Sequence, residues 1–329
     1  ATLSTTWVGS GPERRAFGVD LCAETLAWGR ERNLEKNPGI DPKRVELVEG
    51  NVLDGLMPAD GIGADIGCAM NFSFCVFKTR PELLAYLKQA HATLAPGGLF
   101  FMEMYGGPEA RTELEDEREV ENFIYVWDQD AYNPINHHTR CYIHFRFPDG
   151  SSIERAFTYE WRVWSLPELQ ELLVEAGFVN PRVFWETVDD SEEDPDLLTG
   201  TGEYEEVEEV ENQDSWLVYV VGEQAKASSS DSTKEIIDKQ GLLDAAELLI
   251  EEVESIGFEA SVSHPTKQQE AKPLHVLLDV QGMRCMKNCG TPVQNVLGEA
   301  DLSALGKCRN WMSMKTCRMH VCLRAICVL

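Results

Sequence analysis

Apolar blocks and helical periods alternate most clearly between Ala64 and Gly107. Ala64-Asp65-Ile66-Gly67-Cys68-Ala69-Met70 follows an Asp-rich turn and reads as a buried strand ending at Asn71. Leu83, Leu84, Leu87, Ala90, His91 and Leu94 then recur on one helical face, which Pro96-Gly97-Gly98 closes. A second apolar run, Leu99 to Met104, stops at Tyr105-Gly106-Gly107. Strand, helix, glycine stop and strand make a βαβ unit with a right-handed connection. Ligands of such sheets sit beyond the carboxyl ends of the strands, so Asn71-Phe72-Ser73 and Tyr105-Gly106-Gly107 both fall on the ligand side.

The flanking pattern extends this α/β reading. Arg15 to Leu21 is a short strand ending in an acid, and a helix is expected from about Ala23 to Asn33. Val45 to Asp54 alternates apolar and acidic residues and turns at Gly50-Asn51. Gly106 to Glu121 is polar and helical in period. Beyond it, Phe123–Trp127, Cys141–Phe147 and Ile153–Trp161 read as aromatic antiparallel strands, with Pro148-Asp149-Gly150-Ser151 as a turn. Their aromatic stripe, Tyr125, Trp127, Tyr142, Phe145, Phe157, Tyr159 and Trp161, suits either a core or the wall of a substrate pocket. His137, His138 and His144 lie in the same stretch and suit either a general base or a structural role. Ser165-Leu166-Pro167-Glu168 opens a helix that carries Leu169, Leu172, Leu173 and Ala176 to Gly177-Phe178. Arg182–Trp185 and Ser215–Val221 read as two further strands.

Composition narrows the function classes. A formal net charge of −27 over 329 residues argues against a nucleic-acid backbone or an anionic membrane as the main partner, because both call for a basic footprint. Much of the acid lies between Glu186 and Glu211, which reads as a solvated segment, while Lys307, Arg309, Lys315, Arg318 and Arg324 form a local basic cluster. Ten cysteines are too few and too scattered for a disulfide scaffold in a chain this long, so free thiols in a reducing compartment such as the cytoplasm are expected. No apolar run reaches the roughly 18 residues of a membrane span. The chain opens on Ala with no signal pattern, which suggests a fragment or a processed form.

The strand end D-I-x-C-A-x-N-F-S paired with L-x-P-G-G-x-F-x-x-x-x-Y-G-G resembles the class I S-adenosylmethionine-dependent methyltransferases, in particular a poorly characterised branch of plants, algae and bacteria. The resemblance covers about residues 1–222, with Trp161-Arg162-Val163-Trp164-Ser165-Leu166-Pro167-Glu168 and Asp214-Ser215-Trp216 as later landmarks. It implies a Rossmann-like, mostly parallel sheet closed by an antiparallel last strand, with an antiparallel β insertion over the cofactor cleft. It also implies S-adenosylmethionine as cofactor and a small-molecule or protein methyl acceptor as partner. By resemblance Asp20 would bind the cofactor ribose, unless it simply caps the next helix; Asn51 and Val52 would hold the adenine edge. Asn71 would line the cleft near the methyl group, with Phe72 and Tyr105 facing the acceptor. No residue is assigned as general base. The family's glycine-rich first motif has no counterpart, since no G-x-G-x-x-G occurs, so the first strand and its loop are expected to be missing.

Residues 223–235 read as a flexible linker, and a different module follows at 236–300. Leu242, Leu243, Ala246, Leu249, Ile250, Val253 and Ile256 share a helical face ahead of Gly257-Phe258-Glu259-Ala260, which resembles the closing half of a heavy-metal-associated domain. Gly282-Met283-Arg284-Cys285-Met286-Lys287-Asn288-Cys289 resembles the opening half, so only a partial ferredoxin-like α+β region is expected. Cys285 and Cys289 would bind a soft ion, with Cu(I) favoured over Zn(II) for want of further ligands. The spacing is C-x3-C where the family uses C-x2-C, and an unliganded pair is the competing reading. Residues 301–329 read as a disordered or artefactual tail. Two functions stay open: methyl transfer with an appended soft-metal module, or a non-catalytic metal carrier or sensor on a degenerate methyltransferase scaffold.

Overall fold

The computed structural model describes residues 1–120, 123–189, 199–226 and 326–328. Helix α1 (Thr2–Gly9) leads into β1 (Ala16–Asp20), α2 (Ala23–Gly29), β2 (Val45–Glu49), β3 (Ala64–Ala69), α3 (Arg80–Thr93) and β4 (Leu94–Gly106). Then come β5 (Leu114–Val120), β6 (Phe123–Asn133), β7 (His138–Arg146), β8 (Ser152–Arg162), α4 (Leu166–Ala176), β9 (Val179–Asp189), β10 (Thr199–Val207), β11 (Trp216–Glu223) and β12 (Ile326–Val328).

The main sheet has the order β10-β9-β11-β4-β3-β12-β1-β2. β1 runs parallel to β2, and β3 parallel to β4. β12 is antiparallel to both β1 and β3, so those two share a direction and all four of β1 to β4 finish at one edge. The other pairings, β4 to β11, β11 to β9 and β9 to β10, are antiparallel. The sheet is therefore α/β and Rossmann-like but mixed, where a mostly parallel one was expected.

Period-two alternation along β4 sorts the two faces. Phe100, Met102 and Met104 join Leu83 and Leu87 of α3 and Leu169, Leu172 and Leu173 of α4 in one cluster. Leu99 and Phe101 join Leu3, Trp7 and Val8 of α1 in the other. Both main helices open on reciprocal capping boxes that satisfy otherwise orphaned N–H groups, Thr79 with Glu82 and Ser165 with Glu168, the second of them as expected. Gly177 (φ 111°) ends α4 in the left-handed region.

Several expectations are corrected. The segment predicted helical from Gly106 holds a short 3-10 turn, Glu109–Arg111, and then strand β5, which pairs with β6 along its length. Part of the acidic stretch is strand β10, at the sheet edge, where Glu203, Glu205 and Glu206 remain exposed to solvent as expected. Pro96-Gly97-Gly98 lies inside β4, which begins at Leu94. α2 stops at Gly29 and continues as a π-helical turn, Arg30–Glu35. In the expected tail, Ile326–Val328 pairs as β12.

β5 to β8 form a separate antiparallel sheet in sequential order. Its aromatic stripe is core. Trp161 packs on Tyr159 (4.5 Å between ring centres) and Trp127 (6.3 Å), and Phe145 on Tyr125 (6.1 Å) and Phe157 (6.2 Å). These rings belong to the same cluster as α3 and α4, whereas Tyr142 faces away, under the guanidinium of Arg155 at 4.6 Å.

Candidate functional site

The shared edge of β1 to β4 gathers most of the residues expected to carry function. Asp20 ends β1 and is buried. Its carboxylate accepts the Cys22 N–H at 2.8 Å, beside the start of α2, while its carbonyl accepts the Gly50 N–H at 3.0 Å. Asp20 is thus bound to the turn that follows β2. The helix cap raised as its alternative is not what the structure shows: Cys22 is the N-cap of α2, no side chain caps that helix, and Asp20 holds the backbone N–H of Cys22 instead. Asn51 stands one residue beyond Gly50, and its Oδ1 accepts the Leu53 N–H at 3.0 Å, capping the 3-10 turn Val52–Asp54. Val52 is half-buried against the core. Leu21, directly after Asp20, is 54% exposed.

At the end of β3, Asn71 (φ 52°) and Phe72 (φ 56°) both occupy the left-handed region. Neither is glycine, and each such position costs about 1 kcal/mol or more, so the surroundings must impose it. Phe72 lies 4.6 Å from the Tyr105 ring and 6.1 Å from that of Trp161, and Tyr105 is itself 6.1 Å from Trp161. The two expected acceptor residues therefore meet at the ligand edge, packed against each other and against the second sheet. Behind them, the Asn71 N–H donates to the carboxylate of Glu103. Glu103 lies on β4 and is buried; burial first, and the charge of Glu186 after it, push its carboxyl up to about 7 against the pull of the Asn71 N–H. Sequence reasoning missed Glu103, although one acid inside the apolar run Phe100-Phe101-Met102-Glu103-Met104 was a visible signal.

Gly106 and Gly107 complete the edge. A Cβ on Gly106 would stand 2.2 Å from the Trp216 ring, and one on Gly107 (φ +101°) 2.3 Å from the Asp214 carbonyl oxygen. The Asp214-Ser215-Trp216 landmark is thereby explained as the partner of this glycine pair.

The histidines divide. His144 is buried, with Nε2 3.2 Å from Asp128 Oδ2 and Nδ1 accepting the Arg155 N–H at 3.0 Å, while Glu154 stands 2.5 Å from Nδ1. Both ring nitrogens are engaged within the second sheet, which is the structural role. His137 takes a positive φ (59°) in the β6–β7 turn, and its carbonyl accepts the Val163 N–H at 2.9 Å. His138 begins β7.

Cys22, Cys68, Cys75 and Cys141 are free and buried. Cys285 and Cys289, with the whole predicted heavy-metal-associated region, lie outside the described residues. Among the described residues no group of three or more His, Cys, Asp or Glu side chains could hold a metal ion, and no helix is long and apolar enough to cross a membrane.

No family model and no curated protein matches the chain. Among solved structures it is similar to an S-adenosylmethionine-dependent methyltransferase from Clostridium acetobutylicum, with 14% identity over 64% of this chain and 74% of that one and a TM-score of 0.44. It is similar to the CcbJ methyltransferase of Streptomyces caelestis, with 16% identity over 64% and 78% and a TM-score of 0.45. A third is the sugar N-methyltransferase KedS8 from Streptoalloteichus, with 16% identity over 68% and 87% and a TM-score of 0.41.

Proposed function

We propose that the chain transfers a methyl group from S-adenosylmethionine to a small-molecule or protein acceptor. The observation that carries this reading is the union of Asp20 with the Gly50-Asn51 turn at the common carboxyl edge of β1 to β4. That arrangement presents what an adenosine needs. Asp20 offers an acceptor to ribose hydroxyls, Asn51 an amide able to donate and accept, and Leu21 with Val52 apolar surface for the base. Bound S-adenosylmethionine would supply an electrophilic methyl on a sulfonium. The chain's part is then to hold the nucleophile in line and exclude water, an effect of position more than of proton transfer. On this reading Asn71 would stand at the methyl end of the cleft, and Phe72 with Tyr105 on the acceptor side. Four buried free thiols favour a reducing compartment.

Calorimetric titration with S-adenosylhomocysteine tests this reading. Binding should be measurable, and Asp20→Ala should weaken it at least about tenfold by removing a charge-assisted acceptor. Absence of binding at millimolar ligand, or equal affinity in the variant, would overturn it. Soft-metal binding at Cys285 and Cys289 rests on the resemblance of their segment to the opening half of a heavy-metal-associated domain, from which the C-x3-C spacing departs. A Cu(I) competition titration unchanged by Cys285→Ser would remove that part.

A further inference from the structure

Asn71 and Phe72 form the ligand-side end of β3, and their left-handed conformation needs a restraint. Within the segment, the Ser73 N–H reaches the Met70 carbonyl at 3.2 Å and the Cys75 N–H reaches the Phe72 carbonyl at 2.8 Å. The Phe72 ring is fixed by Tyr105 and Trp161. A further restraint is the Asn71 N–H on the Glu103 carboxylate, which ties the turn to the neighbouring strand. Of these it is the one interaction whose strength depends on charge, because an N–H to an ionised carboxylate is roughly twice as strong as a neutral pair.

We infer that Glu103 is a positioning residue: its ionised carboxylate holds the Asn71–Phe72 turn, so that the site edge is organised when Glu103 is charged and loosened when it is protonated. The hold on the turn stands by itself; its consequence for ligand binding rests on the methyl-transfer reading.

The surroundings make this residue titrate where it matters. Register places Glu103 on the sheet face shared by Cys68 and Met70 of β3, Tyr219 and Glu223 of β11, Arg182, Phe184 and Glu186 of β9, and Tyr204 of β10. Arg182, a cation on that face, lies 3.3 Å from Glu206 and over the Phe184 ring. Glu186 is a like charge and accepts the Gly202 N–H at 3.2 Å. α1 brings the apolar Leu3, Trp7 and Val8 to the same cluster. Burial and Glu186 thus place the Glu103 carboxyl at about 7.

The test is the amide signal of Asn71, followed by NMR from pH 5.5 to 8.5 in the full chain. The Asn71 amide proton should move downfield as pH rises, with a midpoint near 7, and hydrogen exchange at Asn71, corrected for its intrinsic pH dependence, should slow over the same range. Glu103→Gln should abolish the titration while keeping the fold, and Glu186→Gln should lower its midpoint. An Asn71 signal that stays flat, or that titrates identically in Glu103→Gln, would overturn the inference. S-adenosylhomocysteine affinity, read in parallel, should fall by up to about tenfold per pH unit below the midpoint in the native chain and stay level in Glu103→Gln. A titrating amide with no ligand bound at any pH would sink the methyl-transfer reading and leave the positioning role standing. A titrating amide with pH-independent affinity would confine Glu103 to the turn and overturn its link to the site.

Discussion

Replacing Gly107 by alanine should be among the most damaging single-methyl additions in the chain, and its cost separates into two parts. The first is conformational. At φ +101° an alanine loses about 1 kcal/mol relative to glycine. The second is steric, since the new Cβ would lie 2.3 Å from the Asp214 oxygen, 2.8 Å from its carbonyl carbon and 3.0 Å from the Gln213 oxygen. All three are backbone atoms, so no side-chain rotation relieves the clash. The 213–214 segment must retreat, and with it goes the Glu109 N–H to Asp214 carbonyl bond of 3.0 Å, worth about 1 kcal/mol. Overpacking strain of 1 kcal/mol or more brings the expected total to about 3 kcal/mol. Gly150 provides the control: its φ is +86°, yet a Cβ there meets nothing within 4 Å, so Gly150→Ala should show the conformational cost alone. Urea unfolding of both variants, followed by far-UV circular dichroism at one pH, should separate them by about 2 kcal/mol, a factor of roughly 30 in the folding equilibrium. A difference under about 0.5 kcal/mol would refute the claim that the Asp214 backbone closes on Gly107.

Other outcomes follow from caps and buried titrations. Ser165→Ala removes half of the capping box of α4 and should cost about 1 kcal/mol, read as a lower urea midpoint with an unchanged slope. Burial holds His91 below its ordinary value, so the unfolded chain takes up the proton first. Stability should therefore decline as pH falls below the usual histidine range, and His91→Gln should flatten that decline between pH 7.5 and 5.5. Glu103 has the opposite sign. With its carboxyl raised from 4.5 to about 7, the folded state binds the extra proton, and stability should fall by at most about 3 kcal/mol as pH rises across that window. Glu103→Gln should then be more stable than the native chain at pH 8; equal stability at pH 5 and pH 8 in both would refute the raised value.

What could be read in advance depended on whether one residue's neighbours in sequence were also its determinants. Helix α4 was legible because Ser165, Pro167 and Glu168 specify its start locally and Gly177 its end. The βαβ unit was legible because Ala64–Ala69 and Leu99–Met104 are apolar on both faces of a sheet covered twice. β5 was missed since Glu115, Asp116, Glu117, Arg118 and Glu119 carry no apolar alternation; its partners are across the sheet, with Arg146 pairing to Glu115 and Glu117. β10, with Glu203, Glu205 and Glu206, failed for the same reason. Within the site, Asp20, Asn71, Phe72 and Tyr105 could be named by resemblance, and Gly106-Gly107 as the stop of an apolar strand. The left-handed conformation of Asn71–Phe72 could not be read in advance, because its restraints include the Glu103 carboxylate, 32 residues away.

The placement of β12 has a kinetic side. Ala16 pairs with Val328 and Ile66 with the same residue, so the contacts that join the two parallel halves of the sheet span more than two hundred residues. Closing so long a loop costs entropy before any contact returns it, which slows folding. Until that strand arrives, β1 and β3 each expose an inner edge of unpaired peptide groups, the usual template for pairing with another molecule. The chain should thus be most prone to aggregation during a late, slow step of refolding, and a holdase that shields sheet edges should raise its yield more than one that only covers apolar side chains.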